Sequence, residues 1–91
     1  MSVDIYVPLI FRELFNNKKV IKSEPGKLID ILNDIFGEHE ELKEKFFDKK
    51  GDLKGFIKIF VDGKGINQLG GLNTYITDKQ KVIIYTVMSG G

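Results

Sequence analysis

The 91-residue sequence contains no cysteine and no tryptophan, and it has only two prolines and one histidine. Without cysteine there can be no disulfide, no thiolate metal site and no cysteine nucleophile. His39 has no second histidine or cysteine with which to complete a metal site, so we expect it on the surface and predict no bound metal.

The sequence also lacks an excess of either charge and any long apolar run. Fourteen basic and 13 acidic residues give a net charge of +1, which provides no general attraction to nucleic acid or to an anionic membrane. No apolar stretch reaches transmembrane length, and the first residues lack the basic region and apolar run of a signal peptide. We therefore expect a cytoplasmic protein that binds neither nucleic acid nor membrane.

Alternating apolar residues predict four main strands. The first runs from Val3 to Pro8 and returns through a loop, Leu9 to Asn17, as a second strand from Lys18 to Lys22. Phe56 to Val61 is the strongest strand pattern, with a turn signal at Asp62 and Gly63 after it. The last strand is predicted from Val82 to Met88.

Between these strands, the apolar spacing changes to that of a helix. We predict a helix that is capped by Ser23 or Glu24, has Pro25 at its first position and stops at Gly37. A shorter helix or turn is expected within the segment from Glu38 to Phe47. The Gly- and Asn-rich segment from Gly65 to Thr77 is expected to be irregular.

The order hairpin, helix, central strand, irregular segment and last strand indicates an α+β fold. The first and last strands would have to meet in a mixed sheet with one main helix across one face, which is the β-grasp layout. We expect one domain over residues 1–88. Residues 89–91 are then a flexible tail.

This tail, Ser89-Gly90-Gly91, is the most informative feature of the sequence. Two glycines in succession have no side chains with which to pack, so we expect poor order in the isolated protein. They would suit a thread that enters a narrow enzyme channel, where any side chain would block the approach. The alternative interpretation is a frayed end or an expression remnant without a function.

The sequence also predicts an exposed apolar cluster on the outer face of the sheet. In the central strand, Ile57, Ile59 and Val61 suit the core, so Lys58 and Phe60 lie on the opposite face. The same alternation in the last strand leads to a partner-binding surface consisting of Phe60, Ile83, Tyr85 and Val87. An exposed apolar cluster on a small domain is usually a partner site. The alternatives are that loop residues cover the cluster or that the two faces are reversed.

Catalytic motifs cannot be assembled from the remaining residues. The glycines from Gly63 to Gly71 do not form a phosphate-binding loop, because the required Gly-Lys-Ser/Thr at a helix start is missing. Acid–base pairs and hydrolase triads are likewise not recognisable. The sequence therefore favours a protein that is not itself a catalyst.

The whole chain resembles the ubiquitin-like sulfur carriers. These include the small subunit of molybdopterin synthase, the thiamin sulfur carrier and the sulfur carrier of an alternative cysteine pathway. The greatest similarity is to the cysteine-pathway branch, through three features: the opening loop Val7 to Arg12, the central strand Phe56 to Val61, and the segment Gly70-Gly71-Leu72-Asn73-Thr74. The chain also closes on Gly90-Gly91, a feature that the whole family shares.

The resemblance implies a mechanism that uses the chain end. An E1-like activating enzyme would adenylate the carboxylate of Gly91 with its own ATP and Mg²⁺, and a persulfide or sulfide would then displace AMP. The resulting thiocarboxylate would donate sulfur to an acceptor enzyme, resembling cysteine synthase or the large subunit of molybdopterin synthase. The chain would be a co-substrate or a non-catalytic small subunit, with no bound cofactor. The alternatives are a protein modifier joined to lysines through Gly91 and an inert interaction module.

Overall fold

The computed structural model describes residues 2–37 and 39–87, so the predictions for Glu38, for Met88 and for the tail of residues 89–91 lie outside the described residues. The strands in these ranges are β1 (Val3–Tyr6), β2 (Val20–Ser23), β3 (Gly26–Lys27), β4 (Ile57–Val61), β5 (Lys64–Gly65), β6 (Tyr75–Ile76) and β7 (Lys81–Thr86). The α-helices are α1 (Leu28–Phe36) and α2 (Glu40–Phe46), and short 3₁₀ helices span Leu9–Phe15, Ile66–Gln68 and Gly71–Asn73. No helix in the described ranges is long and apolar enough to cross a membrane.

Five of the strands form a mixed sheet in the order β2-β1-β7-β4-β5. The first and last strands, β1 and β7, lie side by side in the middle and run parallel, whereas the other neighbours in this sheet are antiparallel. The strands β3 and β6 form a separate antiparallel pair. The predicted α+β β-grasp layout is confirmed.

The core lies between this sheet and the two α-helices. The apolar spacing of α1 buries Leu28, Ile31, Leu32 and Phe36, as a stripe of period 3.6 predicts. Phe46 of α2 contacts the Phe36 ring at 4.7 Å between centroids. Burial of such a side chain contributes about 1.5–3 kcal/mol to folding, so this aromatic contact helps to hold α2 against α1.

The start of α1 differs from the prediction. The helix begins at Leu28 rather than at Pro25, and Lys27 is its N-cap residue without a side-chain hydrogen bond. Gly26–Lys27 instead pair with Tyr75–Ile76, and the Leu28 N–H donates to the Thr74 carbonyl at 2.9 Å. The first backbone donor of the helix is therefore satisfied by a segment that is distant in the sequence. The prediction that Ser23 or Glu24 caps the helix was wrong.

The predicted loop from Leu9 to Asn17 is also more regular than expected, because Leu9–Phe15 form a 3₁₀ helix anchored by the buried ring of Phe11. The predicted turn after it is confirmed, since Asn16 and Asn17 have φ angles of 56° and 60°. Within the segment predicted to be irregular, β5, two 3₁₀ helices and β6 are present. The short second helix is confirmed as α2.

Candidate functional site

The register between β4 and β7 positions the predicted cluster on the sheet face away from α1, here called the outer face. Phe60 lies directly opposite Ile83, and Lys58 lies directly opposite Tyr85. The diagonal pair Phe60 and Tyr85 makes an edge-to-face contact, with ring centroids 5.4 Å apart and planes at 87°. Three of the four predicted surface residues therefore form one contiguous patch.

Burial along both strands follows the predicted alternation. Ile57, Ile59, Val61, Val82 and Ile84 are buried, as predicted for the core. On the outer face Phe60 and Ile83 are half-buried, and Tyr85 is exposed over 48% of its surface. The assignment of the two faces is confirmed, and the interpretation that they were reversed is wrong. Whether this face binds a partner remains a prediction.

The apolar patch extends further across the sheet than the sequence predicted. Tyr6 of β1 lies beside Ile83 through the parallel pairing, and Val20 of β2 lies opposite Tyr6. At the β5 edge of the sheet, the ring of Phe60 lies over Gly65. A Cβ atom at Gly65 would be 3.6 Å from the Phe60 ring. An apolar row thus crosses all five strands of the main sheet. We call it the apolar belt.

Two members of the apolar belt, Tyr6 and Val20, were not predicted as site residues. The alternation in the first strand already indicates that Tyr6 lies on the face opposite Val3 and Ile5. What the sequence does not show is the parallel register that places Tyr6 next to Ile83. Tyr6 could have been predicted from two features together. These are the alternation in the first strand and the predicted pairing of the first and last strands.

Charged residues border the apolar belt where β1 and β7 begin. Lys22 Nζ donates to Asp4 Oδ1 at 2.7 Å, and this hydrogen bond, together with the charge of Asp4, raises the pKa of Lys22 above its ordinary value. Lys81 lies opposite Asp4 in the parallel pair, and its Nζ is 5.2 Å from the centroid of the Tyr6 ring. The strand starts are therefore charged, and the apolar side chains continue toward the strand ends.

The end of β7 is followed by the exposed apolar residue Val87, the last described residue, which is here called the root of the predicted tail. The Val87 N–H donates to the Phe56 carbonyl at 2.7 Å, which fixes the last described residue of the chain beside the start of β4. Val87 and Phe56 are both exposed, and so are Leu9 and Ile10, which follow the parallel strand β1. Exposed apolar side chains therefore follow the ends of both β1 and β7.

The described residues form an exposed apolar surface and no recognisable metal centre. Among them, no group of three or more His, Cys, Asp or Glu side chains is placed to hold a metal ion. His39 is exposed at the start of α2, where it was predicted. Within the described ranges no buried side-chain polar atom lacks a hydrogen-bond partner. What this arrangement can do is bind a complementary apolar surface on the outer face.

Comparisons with known proteins agree with this architecture. The putative sulfur carrier protein of Archaeoglobus fulgidus is 34% identical over 66 residues, which cover 72% of each chain. The sulfur carrier protein CysO of Mycobacterium tuberculosis is 27% identical over 93 aligned positions that span both chains completely. No family model matches the chain.

Solved structures share the same fold. The structure of the BexX/CysO complex from Amycolatopsis orientalis contains a chain with a TM-score of 0.84 and 24% identity, covering 98% of this chain and 99% of that one. The small archaeal modifier protein 1 of Methanosarcina acetivorans has a TM-score of 0.79 and 28% identity, covering 99% and 96%. The likeness extends over the full β-grasp domain in both cases.

Proposed function

This chain belongs to the ubiquitin-like sulfur-carrier family, in its cysteine-biosynthesis branch, and we propose that it carries sulfur as a thiocarboxylate on the terminal carbon of Gly91. The observation that carries the proposal is the apolar belt on the outer face, with exposed apolar side chains at the root of the tail. A carrier needs such a surface, because its reacting atom can enter a partner only when the domain is docked next to that partner's active site.

The proposed chemistry takes place on the chain end, which agrees with the absence of cysteine. One carboxylate oxygen of Gly91 attacks the α-phosphorus of ATP in an E1-like partner, and pyrophosphate leaves. The acyl adenylate is then attacked at its carbonyl carbon by hydrosulfide, or by a persulfide whose S–S bond a thiol later cleaves, and AMP leaves. The partner supplies the ATP, the Mg²⁺ and the acid–base groups. We place these steps in the cytoplasm, where ATP is available.

The length of the tail sets the docking geometry. An extended chain from Met88 to Gly91 spans at most ~14 Å, so the nucleotide of the activating enzyme has to lie within that distance of Val87. Phe60, Ile83, Tyr85 and Val87 then contact the enzyme surface around the channel entrance. The same face serves the sulfur acceptor, for which we propose an enzyme of the cysteine synthase type rather than the large subunit of molybdopterin synthase. The complex of a CysO chain of this fold with BexX supports a docking role for this domain.

The test is the mass of the intact protein purified from its native host. A carrier contains a fraction of molecules in which sulfur replaces one oxygen, and alkylation of the thiocarboxylate removes that species. A chain that lacks Gly91, expressed in the same cells, is the control and should never acquire the sulfur. Full-length protein without sulfur, under conditions in which the pathway is required, contradicts the proposal.

A second candidate function is supported by the similarity to the small archaeal modifier protein 1. A modifier forms an isopeptide bond between Gly91 and lysines of target proteins, and it shares the activation step with a carrier. The two functions separate at the next step. Lysine-linked adducts of this chain in the native host support the modifier, whereas a thiocarboxylate without adducts supports the carrier.

A further inference from the structure

One edge of the central strand β4 is open beside a groove. On one side β4 pairs with β7 from Ile57 to Val61, but on the other side β5 pairs only with Phe60 and Val61. Within the described residues, no strand pairs with this second edge from Ile57 to Ile59. The groove there has a volume of about 810 Å³.

The register shows which backbone groups face the groove. The Val87 N–H donates to the Phe56 carbonyl, and the Asp62 N–H donates to the Lys81 carbonyl. The even-numbered residues of β4 therefore direct their backbone groups toward β7. In an antiparallel strand, the backbone N–H and C=O groups of successive residues point to opposite edges. Ile57 and Ile59 therefore direct their backbone groups to the open edge. The Ile57 N–H donates to the Lys54 carbonyl at 3.0 Å, which leaves the Ile57 carbonyl and the Ile59 N–H directed into the groove. One residue of an added parallel strand would bond to both groups.

The residues that line the groove define the shape of its ligand. The loop of residues 51–55 lines the groove, and so do Asn67, Gln68 and Asn73. A carboxamide side chain carries both a donor and an acceptor, so it can pair with the outer edge of an extended peptide. Because the open edge extends only from Ile57 to Ile59, it suits a short extended segment.

The charges around the groove define the kind of peptide. Lys54 and Lys58 line it together with one acid, Asp52, and the exposed Lys50, Lys64 and Asp30 lie next to lining residues in the chain. Four lysines and two aspartates give this region a net positive charge. Acidic side chains on the ligand are therefore favoured.

We propose that this groove binds an extended, acidic peptide segment of a partner protein as an added strand beside β4. The backbone groups of Ile57 and Ile59 provide the pairing, and the lysines select the charge. Such a site would hold a partner without Tyr85 or Gly91, although Lys58 and Phe60 belong both to the groove and to the outer face. Its failure would therefore leave the proposed sulfur chemistry untouched.

The test is a titration of the ¹⁵N-labelled full chain with the peptide acetyl-Glu-Val-Glu-Val-Glu-amide, followed by NMR amide shifts. We expect the largest shifts at Ile59, Asn67 and Asn73. Because the attraction is partly electrostatic, binding should weaken about fivefold or more when the ionic strength rises from about 0.05 M to about 0.5 M. Lys54→Glu should weaken binding similarly, whereas the matched control Lys45→Glu on α2 should not. If Lys54→Glu loses the dispersed spectrum of the fold, Asn73→Ala takes its place.

Two control peptides determine whether the mode of binding is correct. In the first control peptide, the alternate amides whose N–H groups would face β4 are N-methylated. This change removes the donor for the Ile57 carbonyl and should abolish the shifts. Replacement of the glutamates by lysines should reduce them to background. Equal binding by either control peptide, shifts centred on Tyr6 and Tyr85, or no shifts with the acidic peptide would overturn the proposal.

Discussion

Tyr85 and Tyr75 are residues of the same type with comparable exposure, 48% and 62%, but they lie on different surfaces. Tyr85 belongs to the outer face beside Phe60, whereas Tyr75 lies on β6 in the separate strand pair. We predict that Tyr85→Asp weakens binding to the activating enzyme by about 2 kcal/mol, roughly 30-fold in Kd, because an unpaired charge becomes buried in the interface. Tyr75→Asp should bind as the unmodified protein does.

Isothermal titration calorimetry with the activating enzyme measures this difference, and thermal melting shows whether each variant is folded. Since Tyr85 is half exposed in the free domain, neither substitution should unfold it. Equal binding by both variants would mean that the enzyme docks on another surface, whatever the chemistry of the tail.

Gly91 supplies the reacting carbon in the proposed mechanism. Deletion of Gly91, or addition of one residue after it, moves the terminal carboxylate by a residue length of ~3.5 Å. Small displacements of reacting atoms already cost large factors in rate, so we expect loss of adenylation with an unchanged fold. ATP–pyrophosphate exchange by the activating enzyme measures this, and normal exchange with the Gly91-deleted chain would falsify the role of the terminal carboxylate.

At the level of elements, local periodicity predicted most of what positions the site. Alternation assigned Ile59 and Ile84 to the core and Phe60 and Tyr85 to the outer face, because burial on a strand depends only on the parity of the residue. The apolar stripe of α1 was predicted for the same kind of reason. The tail of residues 89–91, predicted from its two glycines and from the family resemblance, lies outside the described residues and stays a prediction.

What the sequence did not predict depends on contacts between distant segments. The pattern around Pro25 is typical of a helix start, but the pairing of Gly26–Lys27 with Tyr75–Ile76 displaces that start to Leu28. Tyr6 was missed as a site residue because its neighbour on the outer face, Ile83, is brought there by a parallel register. The first pairing leaves no local signal in composition or spacing, and the predicted meeting of the first and last strands did not specify their register.

The turn that brings β6 to α1 depends on Thr74. Its Oγ1 accepts from the Gly70 N–H at 2.9 Å and donates to the Gly71 carbonyl at 2.7 Å, and its own carbonyl accepts from Leu28. Thr74→Val keeps the shape but removes both side-chain hydrogen bonds. We expect it to lower the free energy of unfolding by about 1–2 kcal/mol.

Urea unfolding measures this change, and Thr77→Val is the matched control. Thr77 is exposed, and its described hydrogen bonds use backbone groups, so its substitution should stay within about 0.5 kcal/mol. Similar stability of both variants would show that the turn is held by the strand pairing alone.

At the level of the whole molecule, the apolar belt lies on one face of the sheet. The last described residue, Val87, follows β7 of that sheet and precedes the predicted tail. The described domain measures 38 × 30 × 23 Å, so a partner that covers the outer face occupies much of one side. The reach of ~14 Å from Val87 requires every enzyme that uses Gly91 to dock close to this root. In the proposed mechanism, the activating enzyme and the sulfur acceptor therefore need overlapping surfaces of the carrier.

From this overlap we predict that the two enzymes bind the carrier one at a time. Increasing amounts of the acceptor should displace the activating enzyme from labelled carrier, in fluorescence anisotropy, at concentrations that match the acceptor's own Kd. Tyr85→Asp should weaken both interactions, because both use the same ring, whereas Tyr75→Asp should weaken neither. Sedimentation of the three proteins mixed at saturating concentrations should show two binary complexes. A ternary complex would mean that one enzyme reaches Gly91 without covering the outer face, and the carrier would then hand over its sulfur without dissociating between the two steps.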